Sequence, residues 1–80
     1  MKLVELTEYL VKNIVKDQDS VSVKSFEDNE FINIEVLVSS DEIGAVIGKE
    51  GINANAIRTI VQASSYINNE KKVKINIDSI

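Results

Sequence analysis

The chain has 80 residues and a formal net charge of −4; 44% of its side chains are hydrophobic, and Cys, His and Pro are absent. That length holds one hydrophobic core, so a single domain over residues 1–80 is expected, and the density of Ile and Val argues against disorder. Without Cys or His there are no disulfides, no thiol chemistry, no Ser-His-Asp catalysis and no His-based metal site, and no metal or cofactor is expected. Asp41, Glu42 and Glu50 serve better as helix-start and solvent residues than as an acid/base pair, so no enzyme is expected.

The opening Met1-Lys2-Leu3-Val4-Glu5, with acids at Glu5 and Glu8, does not read as a signal peptide. No stretch approaches the length of a membrane span, and a soluble, cytoplasmic protein is expected. Charge is unevenly placed. Residues 1–40 hold four Lys against eight Asp or Glu and carry the whole deficit, whereas residues 41–80 hold five basic and five acidic residues. An acidic total argues against nucleic acid as a partner, but a locally neutral half can still meet phosphate.

Residues 2–16 read as a helix, because Leu3, Leu6, Leu10, Val11, Ile14 and Val15 recur at helical spacing. The polar break 17–20 leads to a short strand at Val21, Val23 and Phe26, and 27–30 form a turn. Residues 31–38 give the clearest strand: Ile32, Ile34, Val36 and Val38 alternate with Asn33, Glu35 and Leu37, the mark of one buried face. Ser39 and Glu42 have capping-box spacing before a short helix containing Ile43, Val46 and Ile47. That helix stops at Gly48. A second helix starts near Gly51, runs to about Ile67 and ends at Asn68-Asn69. Val73, Ile75 and Ile77 alternate with Lys72, Lys74 and Asn76 in a last strand.

The resulting order, αββααβ, defines an α+β domain. The first two strands form a hairpin, and the third returns parallel after a two-helix crossover. The expected product is a three-stranded mixed sheet with three helices on one face. Lys72, Lys74, Asn33 and Glu35 then look outward from the other.

The chemically informative stretch is Gly44-Ala45-Val46-Ile47-Gly48-Lys49-Glu50-Gly51-Ile52. It is not a Walker A loop, since three residues separate Gly44 from Gly48 and Glu50 follows Lys49. It is not a dinucleotide fingerprint either, since a helix rather than a strand precedes it. What remains is a Gly-x-x-Gly turn between two helices. Two glycines let the main chain approach a polymer closely, the following helix start favours an anion, and Lys49 adds a positive charge that Glu50 offsets. The plain structural alternative is a helix cap at Gly48 and a turn residue at Gly51.

With the order of elements added, Val46-Ile47-Gly48-Lys49-Glu50-Gly51 resembles the loop of a bacterial-type, type II KH domain, and 48–59 resembles the small single-KH proteins of the KhpA family. The resemblance covers essentially the whole chain. It implies that the loop clamps about four nucleotides of single-stranded RNA backbone. By position, Gly48, Lys49, Glu50 and Gly51 form the clamp, and Gly44, Val46, Ile47 and Ile52 line or shape the groove. For Val46 and Ile47, core packing is the competing role. Arg58, two turns into the second helix, is a candidate phosphate contact or simply a solvated side chain. The chain departs from its relatives at Ala45, Ile52 and Asn55, where they tend to carry basic residues.

The resemblance further implies an RNA chaperone or post-transcriptional regulator working with a second RNA-binding protein. A KH-fold module that binds only protein is the rival reading. At about 100° per residue the apolar residues of the second helix cover roughly 200°, more than one sheet needs. Either the edge with Ala54, Ile57 and Val61 or the edge with Ile52 and Ala56 is therefore expected to be left for a homodimer or heterodimer. Tyr9, Tyr66, Phe26 and Phe31 are too few to suggest an aromatic base-stacking platform.

Overall fold

The computed structural model describes residues 2–80; Met1, the first residue of the stretch weighed above as a leader, lies outside them. Helix α1 spans Leu3–Lys12, strand β1 Ser22–Glu27, strand β2 Phe31–Val38, helix α2 Ile43–Ile47, helix α3 Ile52–Ile67 and strand β3 Lys72–Ser79. Single 3-10 turns occupy Gln18–Ser20 and Lys49–Gly51. The order is αββααβ, as the hydrophobic patterns require.

The sheet order is β1-β2-β3. β1 pairs antiparallel with β2, and β3 pairs parallel with it, Ile34 opposite Ile75. The central strand supplies the core: Ile34, Val36 and Val38 are fully buried and Ile32 nearly so. Each such side chain contributes about 1.5–3 kcal/mol when taken out of water. They meet Val11 and Val15 from the α1 segment, Val46 from α2, and Ile57 and Val61 from α3, so all three helices lie on one face of the sheet. Among the described residues two polar side chains share this interior, and both are bonded. Thr7 donates its hydroxyl to the Leu3 carbonyl at 2.8 Å, and Ser65 donates to the carbonyl of Lys71.

Two local expectations need correction. The first helix ends at Lys12, not at residue 16, although Ile14 and Val15 still pack on the core. Asn13 donates its side-chain amide to the Tyr9 carbonyl at 2.7 Å, and the Gln18 side chain caps the Lys12 carbonyl at 3.2 Å. Nor does a capping box form: α2 has no side-chain cap, and the Glu42 carboxylate instead accepts the backbone N–H groups of Lys16 (2.5 Å) and Asp17 (3.1 Å). Those amides follow the first helix and have no helical partner. A carboxylate brought across the domain satisfies both at once, which outweighs one local cap.

The β1–β2 turn is held by Asp28, whose carboxylate accepts the N–H of Glu30 at 2.8 Å and of Phe31 at 2.7 Å and an amide hydrogen of Asn33 at 3.2 Å. Those bonds, the Glu30 amide foremost, hold its carboxyl below the usual carboxylate range, with Lys74 adding a smaller effect. At the far end of α3, Asn69 takes a positive φ of 57°, a conformation Asn tolerates, and stops the helix where the sequence predicts.

Candidate nucleic-acid interface

The two helices around the glycine turn are locked at a fixed angle. Gly48 ends α2 with φ 77° and ψ 171° while its N–H donates to the Gly44 carbonyl at 2.8 Å. That backbone conformation is essentially confined to glycine. A Cβ there would also sit 2.8 Å from Cγ of Asn53 and 3.0 Å from its backbone nitrogen. Asn53 packs so closely because its side-chain amide reaches back to the Ala45 carbonyl at 2.8 Å, tying the start of α3 to α2. Sequence reasoning assigned Asn53 no such role. The available signal was an amide side chain in the first turn of a helix, where it competes for backbone partners.

Between the glycines the chain turns sharply. Glu50 has φ 56° and ψ 24°, and Gly51 has φ 75° and ψ 15°. Lys49 and Glu50 both project into solvent. Gly44 plays a different part. A Cβ added there would meet nothing within 4 Å, so no packing demands a glycine. It leaves bare backbone on the exposed side of α2, one turn before the loop.

The remaining predicted residues separate clearly. Val46 is 0% exposed and belongs to the core, so its side chain supports the helix and touches no ligand. Ile47 is partly open, and Ile52 is 66% exposed beside the turn. Arg58 is drawn to the sheet: its Nε donates to the Ile75 carbonyl at 3.3 Å and its Nη1 to Oδ1 of Asn55 at 3.4 Å. Four residues on, the Gln62 side chain accepts the Val73 N–H at 2.9 Å. Arg58 and Gln62 thus occupy the outer edge of β3, which would otherwise present unpaired backbone groups. The guanidinium keeps its charge near that edge while being held in place.

Beyond Arg58, α3 and β3 enclose an open, mainly apolar groove of about 940 Å³, lined among others by Ala63, Tyr66, Ile67 and Ile75. It begins seven residues past Gly51, about 10 Å along the helix. The loop, Lys49, the bare Gly44 backbone and the exposed Ile52 lie at one end of α3 and the groove at the other.

A Gly-x-x-Gly turn between two helices, in the order αββααβ on a three-stranded mixed sheet, defines a KH-type domain. A sequence profile of the family described as KhpA/KhpB, KH domain, matches residues 4–77, and this chain belongs to that family. It is 41% identical over 69 residues to a Clostridium perfringens protein named RNA-binding protein KhpA, covering 86% of this chain and 92% of that one. A protein of the same name from Caldanaerobacter subterraneus subsp. tengcongensis is 37% identical over 73 residues, covering 91% and 96%. Among solved structures, Era in complex with MgGDPNP and nucleotides 1506–1542 of 16S ribosomal RNA superposes with a TM-score of 0.78 at 15% identity. The match covers 98% of this chain but 30% of the Era chain, and it shows likeness of fold alone.

Proposed function

We propose that this protein binds single-stranded RNA, with the Gly48-Lys49-Glu50-Gly51 turn gripping the phosphate backbone, and that it acts as an RNA chaperone or post-transcriptional regulator in the cytoplasm. The observation that carries this reading is the turn itself. Two positive-φ glycines and an exposed Lys49 stand at the start of a sixteen-residue helix, with open backbone at Gly44 beside them. The names of its relatives point the same way. Gly48, Lys49, Glu50 and Gly51 contact the backbone of the strand. Gly44, Ile47 and Ile52 bound the groove, Val46 supports it from beneath, and Arg58 supplies a second positive charge. Titration with a short single-stranded RNA at low salt tests the reading. Saturable binding supports it, and no binding would leave the domain a protein-interaction module.

The salt dependence of that binding should be shallow. With Lys49 and Arg58 the cations nearest the turn, two or three phosphates are neutralised. The log–log slope for a short oligonucleotide is then about −1.4 to −2.1, at roughly −0.7 per phosphate of a single strand. On an RNA of about eight nucleotides, a slope of roughly −4, matching six or more contacts, would contradict this picture of the turn.

Pairing with a second copy of the chain, or with another RNA-binding protein, belongs to the same proposal. The edge of α3 with Ala54, Ile57 and Val61 is consumed by the core. The opposite side is not. Ile52, Ala56, Ile60, Ala63 and Ile67 are all exposed and fall within an arc of roughly 80°, with Tyr66, 80% exposed, beside them. A continuous apolar stripe of this kind is typical of a protein contact. A second linked grip would raise the effective concentration of a weak four-nucleotide site. Ile60→Lys is expected to abolish self-association at tens of micromolar, seen by sedimentation or light scattering, while leaving the melting temperature within a few degrees of the parent. A parent chain that is strictly monomeric, with RNA affinity unchanged by any partner, would remove the pairing from the proposal.

A further inference from the structure

The face of the sheet turned away from the helices carries two aromatic rings and three lysines in one region, an arrangement hidden in the linear sequence. Cross-strand pairing places Phe26, Asn33 and Lys74 in one row and Phe31 and Lys72 in the next, with Lys24 two residues before Phe26 on the same face of β1. Phe26 is 57% exposed, and no helix lies on this side. The Lys74 ammonium stands 4.0 Å from the centre of the Phe31 ring.

Four acids lie nearby, of which Glu30 borders the same cleft as Phe31 and Lys74. Asp28 is held by two backbone amides and Asn33, and Glu27 pairs with Lys71 at 3.3 Å. Glu35 lies directly across from Lys24 and partly offsets it. Lys24, Lys72 and Lys74 are thus matched in number by Asp28, Glu30 and Glu35, so the region is near neutral in a chain whose total is −4, and its cations are separate and exposed.

We infer that this open face is a second contact surface for single-stranded RNA. Bases stack on the open Phe26 ring, and phosphates meet Lys72, Lys24 and the Lys74 ammonium held over Phe31. The inference rests on the RNA-binding reading of the glycine turn and extends it to strands longer than the turn can hold. The chemistry favours a nucleic acid over a protein because flat rings interleaved with separate ammonium groups match the alternation of base and phosphate along a strand. A purely apolar patch would match a protein better. The sheet face and the glycine turn lie on opposite sides of the domain, so only a strand long enough to pass around the β3 edge engages both.

Two probes separate the surfaces: oligouridylates of about four and about sixteen nucleotides, the range a single small fold covers. The sheet variant is Phe26→Ala with Lys72→Gln and Lys74→Gln, all exposed positions outside the core, its folding checked by circular dichroism. The turn variant is Lys49→Asp with Glu50→Asp. The sheet variant should bind the short RNA as the parent does and lose about tenfold or more for the long one. The parent's salt slope should be steeper by roughly 2 on the long RNA, the effect of three added cations. A sheet variant that binds the long RNA like the parent overturns the inference while the turn variant's defect keeps the primary reading intact. A sheet variant with unchanged RNA binding but altered sedimentation would make the face a protein contact and overturns it too. A parent that binds neither oligonucleotide removes both.

Discussion

Gly48→Ala is expected to lower the melting temperature of the domain by about 10–50 °C. An alanine forced to the Gly48 backbone angles of 77° and 171° costs about 1–3 kcal/mol. The new Cβ would stand 2.8 Å from Asn53 Cγ and 3.0 Å from the Asn53 nitrogen, so α3 itself must shift. Overpacking of this kind costs about 1–3 kcal/mol more. In a domain of this size each kcal/mol moves the midpoint by roughly 4–8 °C. The other glycines provide the scale. At Gly51 only the φ of 75° is unfavourable, since the nearest obstacle to a Cβ is Nδ2 of Asn55 at 3.7 Å, so Gly51→Ala should cost less. Gly44→Ala meets nothing and gains helix propensity of roughly 0.5–1 kcal/mol, so its midpoint should hold or rise slightly. Thermal unfolding by circular dichroism ranks the three. A Gly48→Ala midpoint within about 2 °C of the parent would mean that the Gly48–Asn53 packing does not exist in solution.

The double variant Lys49→Asp with Glu50→Asp should behave in the opposite way, folding normally and losing RNA. Both side chains are exposed, so their replacement empties no core. Glu50 already adopts φ 56°, and Asp accepts that region more readily than Glu, so the turn keeps its shape. Loss of a charge-assisted contact to phosphate is worth about 1.5–3 kcal/mol, which is tenfold to a hundredfold in affinity. Side-chain charge in the loop goes from 0 to −2, one ammonium lost and one carboxylate gained, so a fall of about a hundredfold or more is expected, with a melting temperature near that of the parent. Titration of a short oligonucleotide by fluorescence anisotropy reads it directly. Parent-like affinity would place the backbone grip elsewhere on the domain.

The combination of these variants dissects the turn into a scaffold and a contact. Gly48 and Asn53 set the angle between α2 and α3, so Gly48→Ala is read first as lost stability, whereas Lys49 and Gly44 carry little stability and their variants are read as RNA affinity in the proposed site. A Gly44 variant with a large polar side chain, such as Gly44→Gln, fits the same logic. It has open space to occupy, and any effect falls on RNA approach.

Much of the fold was legible because it depends on short periods. The alternation at Ile32, Ile34, Val36 and Val38 can bury only one face of a strand, and those four residues form the centre of the core. Gly48 and Gly51 fall where backbone angles of positive φ are required, so the turn between the short and long helices could be read from two residues. The order αββααβ, the first hairpin and the parallel return of the last strand followed from the same patterns, whereas the strand order β1-β2-β3 came from the structure.

Other assignments needed partners remote in the chain. Glu42 has the spacing of a local cap, yet its carboxylate serves the amides of Lys16 and Asp17, more than twenty residues away. Arg58 read as solvated or bound to phosphate, and only the approach of β3 gave it the Ile75 carbonyl. The apolar arc of α3 was too wide for one sheet. Which side was used depended on where α1 and α2 settled, and their packing consumed Ala54, Ile57 and Val61 and left Ile52, Ala56 and Ile60 in solvent. Phe26 and Phe31 looked like scattered aromatics until strand register set them beside Lys72 and Lys74. Backbone conformation and face periodicity act over a few residues and are therefore written in the sequence. The partner of a charge and the neighbour of an exposed ring are chosen by segments that meet only when the domain closes.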